Sequence, residues 1–146
     1  MRIYLDMCCL QRPMDDQSNF RVHMEAEAIL GILVWCNRNH ADLLDSVALR
    51  YEHAKHTHPV RKAFSQEILQ KSAVFIALTE QIASDARNYE ERGIKALDAL
   101  HLACAVNGNA NYFCTCDDRF LRRAKLLGTG QTKVVSPVEL FEVIEP

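Results

Sequence analysis

Ile94-Lys95-Ala96-Leu97-Asp98-Ala99-Leu100-His101-Leu102-Ala103-Cys104-Ala105 is the stretch that decides how the rest of the chain reads. At helical period it is apolar on nearly every side, and past Lys95 only Asp98 and His101 are polar, so it reads as a helix in the middle of the protein. A carboxylate on such a helix loses hydration, at a cost of about 2 kcal/mol or more, unless hydrogen bonds or a cation replace the water. Asp98 therefore needs a partner. A backbone amide would serve, and so would His101 one turn on. A third answer is a set of further carboxylates converging on Asp98 around a shared cation.

The composition bounds the answer. A chain of 146 residues, 49% hydrophobic and 25% charged, reads as one globular domain over residues 1–146, enough to bury roughly 70% of its unfolded surface. No run of 18 apolar residues is present, and the start, MRIYLDMCCL, has an acid within its apolar stretch and no export-type cleavage site. A cytoplasmic protein with no membrane span is expected. Six cysteines (Cys8, Cys9, Cys36, Cys104, Cys114, Cys116) form no CxxC pair, and several lie in apolar elements, which argues against a disulfide framework or a zinc ribbon. With a net charge of -2, any site for a polyanion must be a local patch.

Working outward from the central helix, short β-prone runs alternate with helical ones. Arg2 to Leu5 is a strand that stops at Asp6, followed by a polar loop, Gln11 to Gln17, with a proline. Phe20 to Cys36 repeats apolar residues at three and four, with Ser18 or Asn19 as cap. Asp42 to Val47 is a second strand, and Ala48 to Lys55 a helix carrying Glu52 that His58-Pro59 breaks. A helix to about Lys71, a third strand over Val74 to Leu78, and a helix from Thr79 to Arg92 ended by Gly93 lead to the central stretch. After it come a strand over Tyr112 to Cys116 ending at Asp117, a basic helix over Phe120 to Leu127 and a fifth strand over Lys133 to Val135. Ser136-Pro137-Val138-Glu139 then forms a capping box that opens a last helix to about Ile144.

This alternation predicts an α/β fold, a parallel sheet of about five strands covered by helices on both faces in three layers. Functional groups in such sheets gather beyond the carboxyl ends of the strands. Asp6 and Asp117 follow the first and fourth strands, Glu52 lies on the helix after the second, and Asp98 on the helix entering the fourth. Four acids facing one cleft repel one another and make sense only around a divalent cation, for which oxygen ligands favour magnesium or manganese over zinc.

The segments IYLD with Asp6, SVALRYE with Ser46 and Glu52, DALHLACA with Asp98, and YFCTCDDRF with Thr115 and Asp117 together resemble the four acidic motifs of the PIN domain family across almost the whole chain. DALHLA followed about a dozen residues later by a strand and T-x-D is the specific part. The resemblance implies the strand order 3-2-1-4-5, with Asp6, Glu52, Asp98 and Asp117 as catalytic and metal-binding acids and Mg2+ or Mn2+ as cofactor. It also implies metal-assisted hydrolysis of RNA phosphodiesters, because PIN domains are typically ribonucleases. Many compact bacterial and archaeal members are VapC-like toxins, which implies an antitoxin partner and a homodimer. One position departs from the pattern. Family members usually carry Thr or Ser after the first acid, where this chain has Met7.

Around these acids, Thr115 and Ser46 are candidate supporting hydroxyls, though strand-end and cap roles fit them as well. Asp118 reads more simply as a cap for the helix starting near Arg119 than as a supporting ligand. His101 reads as a packing and hydrogen-bonding residue. Arg119, Arg122, Arg123 and Lys125, followed by Lys133, form a basic stretch beside Asp117 that could hold RNA, and Arg12 is placed in the first loop to reach the same cleft. His56 and His58 cannot share a helical face and Pro59 interrupts them, so His53, His56 and His58 make a poor metal site. Cys8, Cys9 and Cys116 come near each other if strands one and four are neighbours. Two other classes compete with the nuclease. One is a non-catalytic module of the same fold that binds RNA or an antitoxin. The other is a phosphatase-type fold, which wants a second Asp where this chain has Cys8.

Overall fold

The computed structural model describes residues 1–144. Five short strands, β1 (Arg2–Leu5), β2 (Asp42–Ser46), β3 (Val74–Ile76), β4 (Tyr112–Cys114) and β5 (Lys133–Val135), form one sheet in the order 3-2-1-4-5. Every neighbouring pair is parallel. The register sets Ile3 beside Leu43 on one side and beside Tyr112 on the other, so β1 is the central strand. It is also among the most buried, with Ile3, Tyr4 and Leu5 all inaccessible, as a strand covered on both faces should be.

Eight α-helices are found among the described residues, and they flank the sheet in three layers: α1 (Met7–Gln11), α2 (Phe20–Asn37), α3 (Val47–Ala54), α4 (Pro59–Gln70), α5 (Glu80–Glu91), α6 (Ala96–Asn107), α7 (Asp118–Lys125) and α8 (Pro137–Ile144). From Ala96 on, the apolar stretch ending at Ala105 forms α6. Ala99, His101, Leu102, Ala103, Cys104 and Ala105 are buried, and α6 packs against α5 and α3, while α2 packs against α8. Gly93 links α5 to α6 with φ +96°, a backbone that other residues adopt at a cost. Many helix starts follow local capping chemistry. Asn19, Ser46 and Thr79 accept the amides of Val22, Leu49 and Ile82, and Ser136 and Glu139 form the reciprocal box expected at α8.

Three details depart from the sequence reading. The segment after Asp6 is not simply a loop but α1 followed by a 3-10 turn over Arg12–Met14. Asp6 initiates that helix by accepting the Met7 amide, and five residues are too few to show a period. The fourth strand ends at Cys114 rather than Cys116, because Asp117 turns out of the sheet to cap α7. Asp117, not Asp118, is that cap: its Oδ1 accepts the amides of Arg119 and Phe120 at 3.0 and 3.1 Å.

Candidate acidic site at the strand ends

Parallel strands bring their carboxyl ends to one edge of the sheet, and there β1 and β4 deliver Asp6 and Thr115 side by side. The Asp6 amide bonds the Cys114 carbonyl at 3.0 Å, continuing the ladder by one residue and fixing where the side chain starts. Its Oδ1 accepts the Met7 amide at 2.8 Å. Its Oδ2 accepts the Thr115 hydroxyl at 3.0 Å and a weaker thiol contact from Cys8 at 3.5 Å. Thr115 Oγ1 in turn accepts the Asp117 amide at 3.2 Å, so one hydroxyl ties the first acid to the last.

Glu52 reaches the same place from α3. Its Oε1 lies 2.8 Å from His101 Nε2, and that nitrogen is 3.9 Å from Asp6 Oδ1, so one ligand atom from each of Asp6, Glu52 and His101 falls within 4.8 Å of the others. Behind them runs a buried chain that the sequence reading missed. His101 Nδ1 bonds the Tyr4 hydroxyl at 2.7 Å, and that hydroxyl bonds Ser46 Oγ at 2.6 Å. Ser46 is therefore linked to the site through two side chains rather than standing beside the acids. The tyrosine lies 97 residues from its histidine, beyond any local pattern. The only signal was Tyr4 alternating with the acid-bearing strand end.

Asp98 does not pair with His101, whose nitrogens are committed to Glu52 and Tyr4. Among the described residues its carboxylate has no hydrogen-bond donor. It lines a cleft with Asp117, Lys95 and Arg119, and the roof of that cleft is Gly93, whose carbonyl accepts Arg123 Nη1 at 2.6 Å.

The electrostatics follow from this crowding. Burial, then the neighbouring Cys8, Asp98 and Glu52, push the Asp6 carboxyl well above the usual carboxylate range, with His101 pulling the other way. Burial and then Asp117 raise Asp98. Burial alone would lower His101, but its hydrogen bond to Glu52 and the charges of Asp6, Glu52 and Asp98 raise it on balance. Negative charge accumulates here without enough positive charge to balance it. The donors are carboxylate oxygens with one imidazole already engaged, a set that fits a hard divalent cation.

Other expected contacts lie elsewhere. Arg12 does not reach into the cleft, because its guanidinium is held by Asp15 at 3.0 Å and by the buried Glu25 at 3.1 Å. Asp118 pairs with Arg21 of α2, which holds its carboxyl below the usual range. Lys125 pairs with Glu139. Lys133 begins β5 opposite Tyr112, at the other edge of the sheet from the acids. Arg119 and Arg122 remain exposed on α7. The Met7 side chain is buried in the core, and only its amide faces Asp6, so the hydroxyl beside the first acid comes from Thr115 instead. The cysteines expected near one another do meet, with Cys9 Sγ 3.5 Å from Cys116 Sγ.

The sequence profile of the PIN domain matches residues 3–126. No curated protein matches the chain significantly. Among solved structures, the crystal structure of VapBC2 from Rickettsia felis bound to a DNA fragment from their promoter contains a similar fold. It superposes with a TM-score of 0.61 at 14% identity, over 93% of this chain and 98% of that one.

Proposed function

The chain belongs to the PIN domain family, and from that premise we propose that it is a divalent-metal-dependent endoribonuclease, the toxin of a type II toxin–antitoxin pair, folded as one domain over residues 1–146. The observation that carries this reading is the buried Asp6 carboxylate, facing Glu52 and Asp98 with no positive partner of its own.

Asp6, Glu52, Asp98 and Asp117 would hold Mg2+ or Mn2+. When bound, the cation lowers the pKa of a water and offsets the charge that builds on the phosphate oxygens. The protein's own groups do the rest. Thr115 fixes Asp6 Oδ2 and the Asp117 backbone together, and His101 fixes Glu52 from behind through Tyr4 and Ser46. Asp6 is buried, whereas Glu52 and Asp98 are half-buried and Asp117 is exposed; Asp117 Oδ1 is taken by the helix amides, which leaves Glu52 and Asp98 to accept a proton from an attacking water. Arg119 beside the cleft and Arg122 one turn away supply positive charge for an RNA backbone.

The apolar side chains exposed on α2 (Phe20, Met24, Leu30, Val34) and Phe141 of α8 give an antitoxin or a second copy of the chain a surface to cover. The neighbour of similar fold is a VapBC2 complex, in keeping with such a partner.

The test is cleavage of a mixed structured RNA pool by the purified protein with Mg2+ or Mn2+, with EDTA, and with Asp98→Asn. Cleavage that needs the metal and is lost in the variant supports the reading. Intact RNA in every arm, together with no metal binding by calorimetry, would favour a non-catalytic module of the same fold.

A further inference from the structure

Immediately behind Asp6 three thiols meet that the hydrolysis does not use. Cys8 and Cys9 open α1, and Cys116 lies on the turn between β4 and α7, so the pairing of β1 with β4 brings them together across more than 100 residues. Cys9 Sγ is 3.5 Å from Cys116 Sγ, and Cys8 Sγ accepts the Cys116 amide at 3.3 Å. All three sulfurs lie within 4.8 Å of one another. A closed-shell metal at a Zn–S distance of about 2.3 Å holds its sulfurs roughly 3.8 Å apart when tetrahedral, so the Cys9–Cys116 pair already sits near that spacing and the third sulfur within reach of it. We infer that Cys8, Cys9 and Cys116 form a binding site for a thiophilic closed-shell cation, represented by Zn2+, separate from the oxygen site at the acids.

The chemistry separates the two sites. Soft thiolates select zinc-like ions, and carboxylates select magnesium-like ones. Binding leaves three thiolates around a dication, a net charge of one negative unit, with the protons of those still held as thiols passing to solvent. Hydrogen bonds from Cys8 and Cys9 favour the Cys116 thiolate, and Arg12, already paired with Asp15 and Glu25, adds to that from nearby. Cys9 and Cys116 are buried, whereas Cys8 is half-buried, which gives an ion an approach and leaves a fourth position for water. Occupancy would be felt by the acids, because Cys8 Sγ donates to Asp6 Oδ2 and loses that proton on binding.

The test uses Cd2+ and Co2+, whose bonds to thiolate give ultraviolet charge-transfer absorption that carboxylate ligands do not. In phosphine-reduced protein the absorption should saturate at one equivalent and persist in Glu52→Gln and Asp98→Asn. Apparent affinity should fall roughly 100-fold in Cys8→Ala or Cys116→Ala, the share of one ligand among three or four. A second reading needs no variant: with Zn2+ bound, alkylation of Cys8 should slow while that of Cys36, equally half-buried and remote, should not. No charge-transfer band in the wild type, or Cys8 and Cys36 labelling alike with and without Zn2+, overturns the inference. Neither result depends on RNA cleavage, so this inference and the nuclease reading can fail separately.

Discussion

Asp6 and Asp45 both stand at the carboxyl end of a central strand, both are almost wholly buried, and in each one carboxylate oxygen accepts the amide of the next residue, at 2.8 and 2.7 Å. They differ in what meets the second oxygen. Asp45 Oδ2 takes Arg50 Nε at 2.6 Å, whereas Asp6 Oδ2 takes a hydroxyl and a thiol, and its carboxyl is pushed up by two further acids nearby. The positive group closest to Asp6, His101 at 3.9 Å, is already given to Glu52. Burial of a carboxylate is thus no sign of function by itself. The informative difference is that the fold neutralises one acid and leaves the other without a counter-charge of its own.

The comparison can be broken most directly by removing each charge in turn. Asp6→Asn should reduce metal-dependent RNA cleavage by about 100-fold or more, while Asp45→Asn, assayed where it is folded, should cleave within a few-fold of wild type. Equal losses in the two variants would erase the distinction. Stability should move the opposite way. Denaturant unfolding of Asp45→Asn should show a loss of about 1–2 kcal/mol, modest because Arg50 is 45% exposed and its charge is screened. Asp6→Asn should unfold at the wild-type midpoint or above it, since it relieves repulsion.

A smaller effect sharpens the role of the hydroxyl that orients Asp6. Thr115→Val should weaken Mn2+ binding by about 10-fold in calorimetry while leaving the fold intact. The pH dependence has a definite sign. Asp6, Asp98 and His101 all have folded-state values above their ordinary ones, so the stability they contribute is present at low pH and is lost as pH rises. For the two acids the loss begins above their ordinary value of 3.8, and for His101 above 6.5. Mg2+ should therefore raise the Tm of the protein more at pH 7 than at pH 4, and a shift independent of pH would argue that the acids are not its ligands. The smallest change is expected from Arg119→Ala with Arg122→Ala, which should flatten the salt dependence of RNA binding by about 1.5 units of slope.

Much of this was legible in the sequence because it is local. The strand that stops at Asp6, the helix carrying Asp98 and the capping box at Ser136 each follow from residues within a few positions of one another. What escaped is what depends on distant neighbours or on very short elements. Arg12 looked free in a loop and is held by Glu25 across the turn. Asp118 looked like a cap until Asp117 took that geometry and Arg21, 97 residues away, took the carboxylate. The Ser46–Tyr4–His101–Glu52 chain joins four elements, and no window of sequence contains it.

The order of the strands also bears on when the site can exist at all. Asp6 is made more than 100 residues before Cys114, the β4 residue beside the end of β1, and the last acid, Asp117, follows that. At ordinary translation speeds the interval is on the order of 10 s, during which no partial chain carries the full set of acids in place. A ribosome that stalls or a message cut short before that point yields an inert fragment. Under the function proposed above, a host is spared damage from unfinished copies, and an antitoxin translated nearby has that interval in which to arrive first.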